Sequence, residues 1–372
     1  MNFPKVSFVV PCYKLGHLIS ECLSSILSQT YTNFEILVMD DQSPDDTAQV
    51  VSTFSDKRIK YIRNQENLGN LRNYNKGIEL CRSEYIWLIS ADDYLRRPYI
   101  LERYIKVMEA NHKIGYAFCP GVSVIDGREA GVLPYSKYDE ADRIIDGRRF
   151  LNRLLKSNFI VAASALVRRE CYDNIGRFPL TLGMEWSGDW YLWCAFALTY
   201  DVAYFAEAMV CYRAHALSMT TTLAQQENLH RCSGGDLAVP LKIRSHAREL
   251  GLKQVEDACL QAIANEYVQQ CKSKKYQSSA WSLSLPAFEA SLHENIHSEK
   301  ERAYIRARVF DGIGDSLWAG GERSRAQASY LASAKIEPPA VKAYIKYLLV
   351  SLGVPGNHAR TFGRYLRGSI NG

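Results

Sequence analysis

The chain has 372 residues, 47% of them apolar and 23% charged, with a formal net charge of +5. That length exceeds one typical core and predicts two domains, and the composition is that of a globular protein, not a disordered, fibrous or nucleic-acid-binding one. No apolar run approaches bilayer length and no leader pattern opens the chain; none of the ten cysteines forms a Cys-x-x-Cys pair. The expectation is therefore a cytoplasmic protein with buried reduced thiols and no zinc or disulfide framework.

Val6 to Val10 is a near-continuous apolar run stopped at Pro11, which predicts a strand covered on both faces. Apolar residues at helical spacing follow from Leu18 to Leu27. Phe34 to Met39 is a second buried strand, closing on Asp40-Asp41. Ser43-Pro44-Asp45-Asp46 then reads as a helix start, with Ser43 as cap and Pro44 in the first turn. Ile59 to Ile62 predicts a third strand, Asn70 to Cys81 a helix, and Tyr85 to Ser90 a fourth strand running into Asp92-Asp93. A helix from about Pro98 to Asn111 and a strand from Tyr116 to Phe118 complete this half.

Alternation at this pitch predicts an α/β fold with a doubly wound, mainly parallel sheet. Such sheets bind ligands beyond the carboxyl ends of their strands. Two adjacent carboxylates placed there repel each other unless a cation or donor compensates them. A hard divalent cation that also carries substrate phosphates suits the position; capping of the next helix by Asp93 is the plainer alternative. The first loop reads Pro11-Cys12-Tyr13-Lys14-Leu15-Gly16. It has neither a G-x-G-x-x-G fingerprint nor a Walker lysine, which argues against a dehydrogenase or a P-loop NTPase.

From about Thr221 the strand signals stop, and helices are predicted over Leu237 to Leu250, Val255 to Gln270 and Ser278 to Leu285. Phe310, Ile313, Gly314, Leu317, Ala326, Tyr330, Ser333 and Pro338 follow the spacing of one tetratricopeptide-like hairpin. One repeat cannot bury its own face, so it must pack on neighbouring helices or on a second subunit, a homodimer being one possibility. The expected division is a catalytic domain over residues 1–220 and a helical accessory domain over 221–372. Val341 to Leu352 carries Tyr344, Leu348 and Leu349 against Lys342 and Lys346. From Lys335 onward six basic residues (Lys335, Lys342, Lys346, Arg360, Arg364, Arg367) stand against Glu337 alone. This end reads either as a contact for the cytoplasmic face of an inner membrane or as a packed amphipathic helix.

The first half resembles the family 2 glycosyltransferases of the GT-A fold, over roughly residues 4 to 215. The resemblance is carried in order by Val6-Ser7-Phe8-Val9-Val10-Pro11-Cys12-Tyr13-Lys14, Ser25-Ile26-Leu27-Ser28-Gln29-Thr30-Tyr31, Phe34-Glu35-Ile36-Leu37-Val38-Met39-Asp40-Asp41-Gln42-Ser43, Asn67-Leu68-Gly69-Asn70 and Ala91-Asp92-Asp93. It implies that Pro11 and Tyr13 line a nucleotide pocket, with Tyr13 near a uracil. Asp41 would accept from the base edge. Asp93 would bind Mg²⁺ or Mn²⁺ bridging a diphosphate, while Asp92 reaches the ribose or a metal-bound water. Tyr94 stands where family members often carry a further aspartate, which removes one ligand. Arg72 would face the pyrophosphate or else pair on a helix surface.

Sugar transfer with inversion needs a base for the acceptor hydroxyl. The resemblance points to an acid opening a helix after a loop, and Glu185-Trp186-Ser187-Gly188-Asp189-Trp190 supplies Asp189 ahead of an apolar helix from Trp190 to Leu198, with Glu185 as reserve. Capping is the plainer role for Asp189. Trp186, Trp190 and Trp193 would form a wall for a sugar ring or else pack in the core. Tyr212-Arg213-Ala214-His215 through Thr220 matches a loop that closes over the donor, with His215 on the diphosphate or metal. The expected activity is an inverting, metal-dependent hexosyltransferase moving sugar from a UDP-sugar to a surface glycan or lipid-linked oligosaccharide. The alternatives are an inactive sugar-nucleotide-binding module with a helical assembly domain, and a nucleotidyltransferase. The intact acids argue against the former; the missing glycine- and basic-rich first loop argues against the latter.

Overall fold

The computed structural model describes residues 4–216, 218–223, 229–272, 283–336 and 341–354. The chain divides into two compact units, residues 1–235 and 236–372, and the division falls inside the helix Leu229–Glu249.

In the first unit twelve strands are described: β1 (Val6–Cys12), β2 (Phe34–Asp40), β3 (Ile59–Arg63), β4 (Tyr85–Leu88), β5 (Tyr94–Leu95), β6 (Ile114–Phe118), β7 (Gly121–Ile125), β8 (Arg128–Val132), β9 (Arg143–Ile145), β10 (Leu166–Arg168), β11 (Asp201–Tyr204) and β12 (Val210–Ala214). Eight form one sheet in the order β3-β2-β1-β4-β10-β6-β11-β9, and β5-β12-β7-β8 form a smaller one. β3, β2, β1 and β4 run parallel, as do β6 and β11. β10 lies antiparallel between β4 and β6, and β9 is an antiparallel edge. The sheet is therefore mainly parallel, with one reversed strand inside it.

β1 and β2 are buried along their whole length, as expected for strands covered on both faces. β1 runs on through Pro11 to Cys12, beyond the stop predicted from the sequence. In β1, Val9 and Pro11 face β4: their carbonyls accept from the N–H groups of Ile89 and Ala91, at 3.0 and 3.2 Å. The β1–β4 ladder ends at the Val9–Leu88 pair, so the missing N–H of Pro11 removes no ladder bond. The core is centred on Trp87, stacked between Phe8 and Tyr104 with ring centroids 5.4 Å away on each side. Its indole N–H donates to the Ala163 carbonyl at 2.8 Å.

The helix after β2 begins at Thr47, not Pro44. Its start is held by Asp45, which accepts from the Thr47 hydroxyl at 2.6 Å and N–H at 3.3 Å. Ser43 instead accepts from the Lys14 N–H at 3.1 Å and so braces the first loop. The helix Asn70–Leu80 lies directly on β1 and β2, because a Cβ built on Gly77 would fall 2.4 Å from Val9 Cγ1 and 3.1 Å from Met39 Cγ.

The second unit is helical as predicted: Lys253–Lys272, Leu285–Asn295, Glu299–Ala319, Arg323–Ile336 and Val341–Ser351 follow the shared helix. Residues 278–282 of the predicted Ser278 to Leu285 helix lie outside the described residues. The helix there begins at Leu285, with the Ser284 side chain accepting from the Ala287 N–H. One core joins Ile263, Tyr267, Phe288, Leu292, Ile305 and Val309; a second joins Trp318, Ala326, Tyr330 and Val350. The predicted hairpin is present as Glu299–Ala319 and Arg323–Ile336, with Gly314 so close to the Tyr330 ring that a Cβ would fall 2.6 Å from it. Pro338, Arg360, Arg364 and Arg367 lie outside the described residues. Among the described residues no helix is long and apolar enough to cross a membrane.

Candidate active site

The carboxyl ends of β1, β2 and β4 bring the predicted residues to one edge of the sheet. Pro11 is buried within β1; Tyr13, just beyond, leaves its ring 40% exposed, with Lys14 Nζ 5.1 Å over it. Asp40 and Asp41 follow from β2 but face different partners. Asp40 is fully buried and ties the edge together, accepting from the Ser43 N–H at 2.8 Å, from the Tyr61 hydroxyl and from Arg63 at 3.2 Å. Asp41 Oδ1 accepts from Asn64 Nδ2 at 2.7 Å and the Leu68 N–H at 2.8 Å, and Oδ2 from the Gly69 N–H at 2.9 Å. Its carboxylate thus organises the loop leading into the helix Asn70–Leu80. Asn73 locks the same network, accepting from Asn64 at 2.9 Å and donating to the Met39 carbonyl at 2.9 Å. Arg72 stands exposed on that helix.

Beyond β4 the two aspartates separate in role. Asp93 is only 6% exposed, and its Oδ1 accepts from the Arg213 N–H at 2.9 Å. That bond joins the β4 turn to β12. Burial first, then the neighbouring Asp92 charge, push the Asp93 carboxyl well above its ordinary range, against the pull of the Arg213 N–H. Asp92 Oδ2 lies 3.0 Å from His215 Nε2, while its Oδ1 is buried with no hydrogen-bond partner. A buried carboxylate oxygen left without a donor is costly until a water, cation or ligand completes it. The Arg213 bond takes Oδ1 of Asp93, the residue expected from the sequence to meet the metal, while on Asp92 it is Oδ1 that has no donor. His215 follows directly after β12, so Tyr212 and Arg213 sit in a strand and not in a loop.

Asp189 does not open a helix. It is the sixth residue of Met184–Ala197, which begins at Gly183 in a left-handed conformation. Asn158 Nδ2 donates to Asp189 Oδ2 at 3.1 Å, a positioning contact from a separate segment that sequence spacing cannot reveal. The proposed tryptophan wall is not formed by Trp190 or Trp193, each only 4% exposed. Trp190 donates to the Leu154 carbonyl at 2.8 Å, and Trp193 packs on Tyr116 with centroids 5.5 Å apart.

Three tyrosines mark where the acids converge. Burial first, then the charges of Asp92, Asp189, Asp93 and Asp41, push the Tyr74 ionisation far up. Tyr74 is seated edge-on to Phe178, with centroids 5.5 Å apart. Phe178 in turn exchanges hydrogen bonds with Asn75, at 2.9 and 3.0 Å, and lies against Gly188 beside Asp189. Withdrawal from water, then Asp189 and Asp93, raise Tyr135. Tyr212 is pushed up to about 12 by burial, with Asp93, Tyr135 and Asp92 adding to it and the Thr220 hydrogen bond opposing. Tyr74, Tyr135 and Asn158 were not singled out in the sequence. Tyrosines are common, and only the fold places these two beside carboxylates.

Among the described residues no group of three acid, histidine or cysteine side chains has metal-ligand spacing. Asp92 with His215 still forms a fitting partial donor set for Mg²⁺ or Mn²⁺, whose remaining positions would fall to phosphate oxygens and water.

The glycosyl transferase family 2 model matches residues 7–176. A Haemophilus influenzae protein named as an uncharacterized glycosyltransferase is 29% identical over 238 residues, covering 61% of this chain and 71% of that protein. The Escherichia coli protein WfgD, named as a UDP-Glc:alpha-D-GlcNAc-diphosphoundecaprenol beta-1,3-glucosyltransferase, is 34% identical over 116 residues, covering 29% of this chain and 46% of its own. Among solved structures, residues 1–349 of S. aureus TarS, crystallised with UDP-GlcNAc, align with a TM-score of 0.59 at 18% identity, over 96% of this chain and 92% of that one. That last likeness is one of fold.

Proposed function

The chain belongs to the family 2 glycosyltransferases, and from that premise we propose that it moves a hexose from a UDP-sugar, with inversion, to a hydroxyl of a glycan or lipid-linked oligosaccharide. The observation that carries this reading is the placement of Asp41 just beyond β2 and of Asp92 and Asp93 just beyond β4 at one edge of the sheet, with Asp92 Oδ1 buried and unpartnered. The name of WfgD supports a UDP-sugar donor and a lipid diphosphate acceptor.

In this reading Tyr13 and Pro11 flank the base. Asp41 meets its N–H through acceptor capacity that Oδ2 keeps beyond the Gly69 bond. Arg72 approaches the diphosphate from the exposed face of its helix. Asp92 and His215 would hold Mg²⁺ or Mn²⁺, and Asp93 fixes the β4 turn against β12. When bound, such an ion stabilises charge on the departing diphosphate. Asp189, oriented by Asn158, takes the acceptor hydroxyl's proton as the new C–O bond forms and the sugar–phosphate bond breaks, its electron pair leaving with the diphosphate. The exposed Tyr344, Leu348 and Leu352, together with the exposed Lys342, would let the second unit touch an anionic membrane surface from the cytoplasmic side.

The test is a thermal shift with UDP, with and without Mn²⁺, followed by assays of UDP release from UDP-sugars. Stabilisation by UDP only in the presence of the ion, and UDP release from at least one sugar donor, are expected. Equal stabilisation in EDTA would remove the metal from the scheme, and no response to UDP in either condition would remove the donor class.

A further inference from the structure

With Trp190 and Trp193 in the core, an exposed aromatic ring on this unit that the sequence reading did not use is that of Tyr135. It lies in the short 3₁₀ turn Pro134–Ser136 and is 55% exposed. Isolated exposed aromatics are ordinary on protein surfaces. This one differs in how firmly it is held and in what it adjoins. Ser136, fully buried, accepts from the Gly121 N–H at 3.2 Å and donates to the Leu133 carbonyl at 2.7 Å. The Leu133 N–H returns to the Gly121 carbonyl at 2.9 Å. The ring is therefore presented from a rigid base.

Its neighbours connect it to both halves of the chemistry. Gly121 opens β7, paired with β12 at Val210, and β12 carries Tyr212 and the Arg213 N–H that holds Asp93. Val161 packs on Gly121 and ends the segment whose Asn158 orients Asp189. The turn that carries Tyr135 is thus tied through Gly121 to the β12 edge that holds Asp93 and, through Val161, to the segment whose Asn158 orients Asp189. A phenol ring offers an apolar face to the axial C–H bonds of a pyranose and a hydroxyl to its oxygens, at little entropic cost once fixed.

Resting on the glycosyltransferase reading above, we infer that Tyr135 is the acceptor platform, stacking a pyranose ring, so that the acceptor is a ring-form sugar and not an acyclic polyol or a side-chain hydroxyl. The experiment is ligand-observed saturation-transfer NMR on the full chain with UDP and diamagnetic Mg²⁺. The probes are methyl pyranosides of glucose, galactose, mannose and N-acetylglucosamine, with ribitol and glycerol for comparison. At least one pyranoside should receive saturation. Tyr135→Ala should weaken that binding roughly tenfold, and Tyr135→Phe, which keeps the ring, should retain most of it. The melting temperature should stay unchanged in both, because the ring is not part of the core. Pyranoside binding that Tyr135→Ala leaves intact, ribitol or glycerol binding as well as the pyranosides, or no pyranoside binding at all would overturn the inference. If UDP with Mn²⁺ fails to stabilise the wild-type chain, the donor reading falls first and takes this one with it.

Discussion

At the scale of single residues, the adjacent aspartates after β4 do different work, and two substitutions separate them. Asp93 is buried, raised in pKa and bonded to the Arg213 N–H. An asparagine there keeps the acceptor oxygen, so Asp93→Asn should leave the Mn²⁺-dependent UDP stabilisation in place. Asp92→Asn should abolish that ion dependence, as read by thermal shift; the reverse pattern would return the metal to Asp93. Asp189→Asn should lower transfer by roughly 10²–10⁴-fold while UDP binding persists, and a variant with normal turnover would show that another group takes the proton. The doublet and Asp41 were visible in the sequence because each ends an apolar run. What was not visible was which oxygen of which aspartate has its partners, since that depends on Arg213 and His215, more than 100 residues downstream.

At the scale of elements, the helix Asn70–Leu80 sets the site by its distance from the sheet. It carries Arg72, Asn73 and Tyr74, and Gly77 is the point where it touches β1 and β2. Gly77→Val should push it outward, at a cost of about 1–3 kcal/mol. Denaturant midpoints should read that loss, with weaker UDP binding alongside; an unchanged midpoint would mean the sheet yields instead. This helix and the four parallel strands were legible: β1, β2 and β4 are buried and read as apolar runs, while β3 is a short edge strand mixing apolar and charged residues. β10 was not: three residues, Leu166 to Arg168, carry no period, and Arg168 is itself buried. Its guanidinium is accepted by the Met108 and Ile114 carbonyls and by Glu84, so a tertiary network makes that strand. The helix Met184–Ala197 was predicted to begin too late because Gly183 and Gly188 read as loop. Gly188 is in fact where the helix lies against Phe178.

At the scale of the whole molecule, each unit has its own apolar cores, which predicts two calorimetric transitions. UDP with Mn²⁺ should raise only the one belonging to residues 1–235. A marker for the other is Glu266, whose carboxyl is raised from 4.5 to about 7 by burial and then by Asp236. A raised carboxyl contributes stability that is full below its unfolded pKa of 4.5 and is lost as pH rises through about 7. Glu266→Gln should therefore raise the second transition at pH 8, by about 2–3 kcal/mol, and leave it nearly unchanged near pH 4.5. A single transition that moves with both UDP and Glu266→Gln would show the units unfold as one.

The reversed strand in the main sheet also governs how the chain must be made. β1 to β4 are complete by Leu88, but the partner of β4 is β10, and β6 is closed by β11 only at Tyr204. At about 5–20 residues per second of synthesis, the open β4 edge waits several seconds for its neighbour. During that interval an apolar strand edge is open to any extended chain nearby. A nascent chain halted near residue 120 should therefore be the aggregation-prone and chaperone-bound form, and one halted beyond Tyr204 should resist proteolysis of β4.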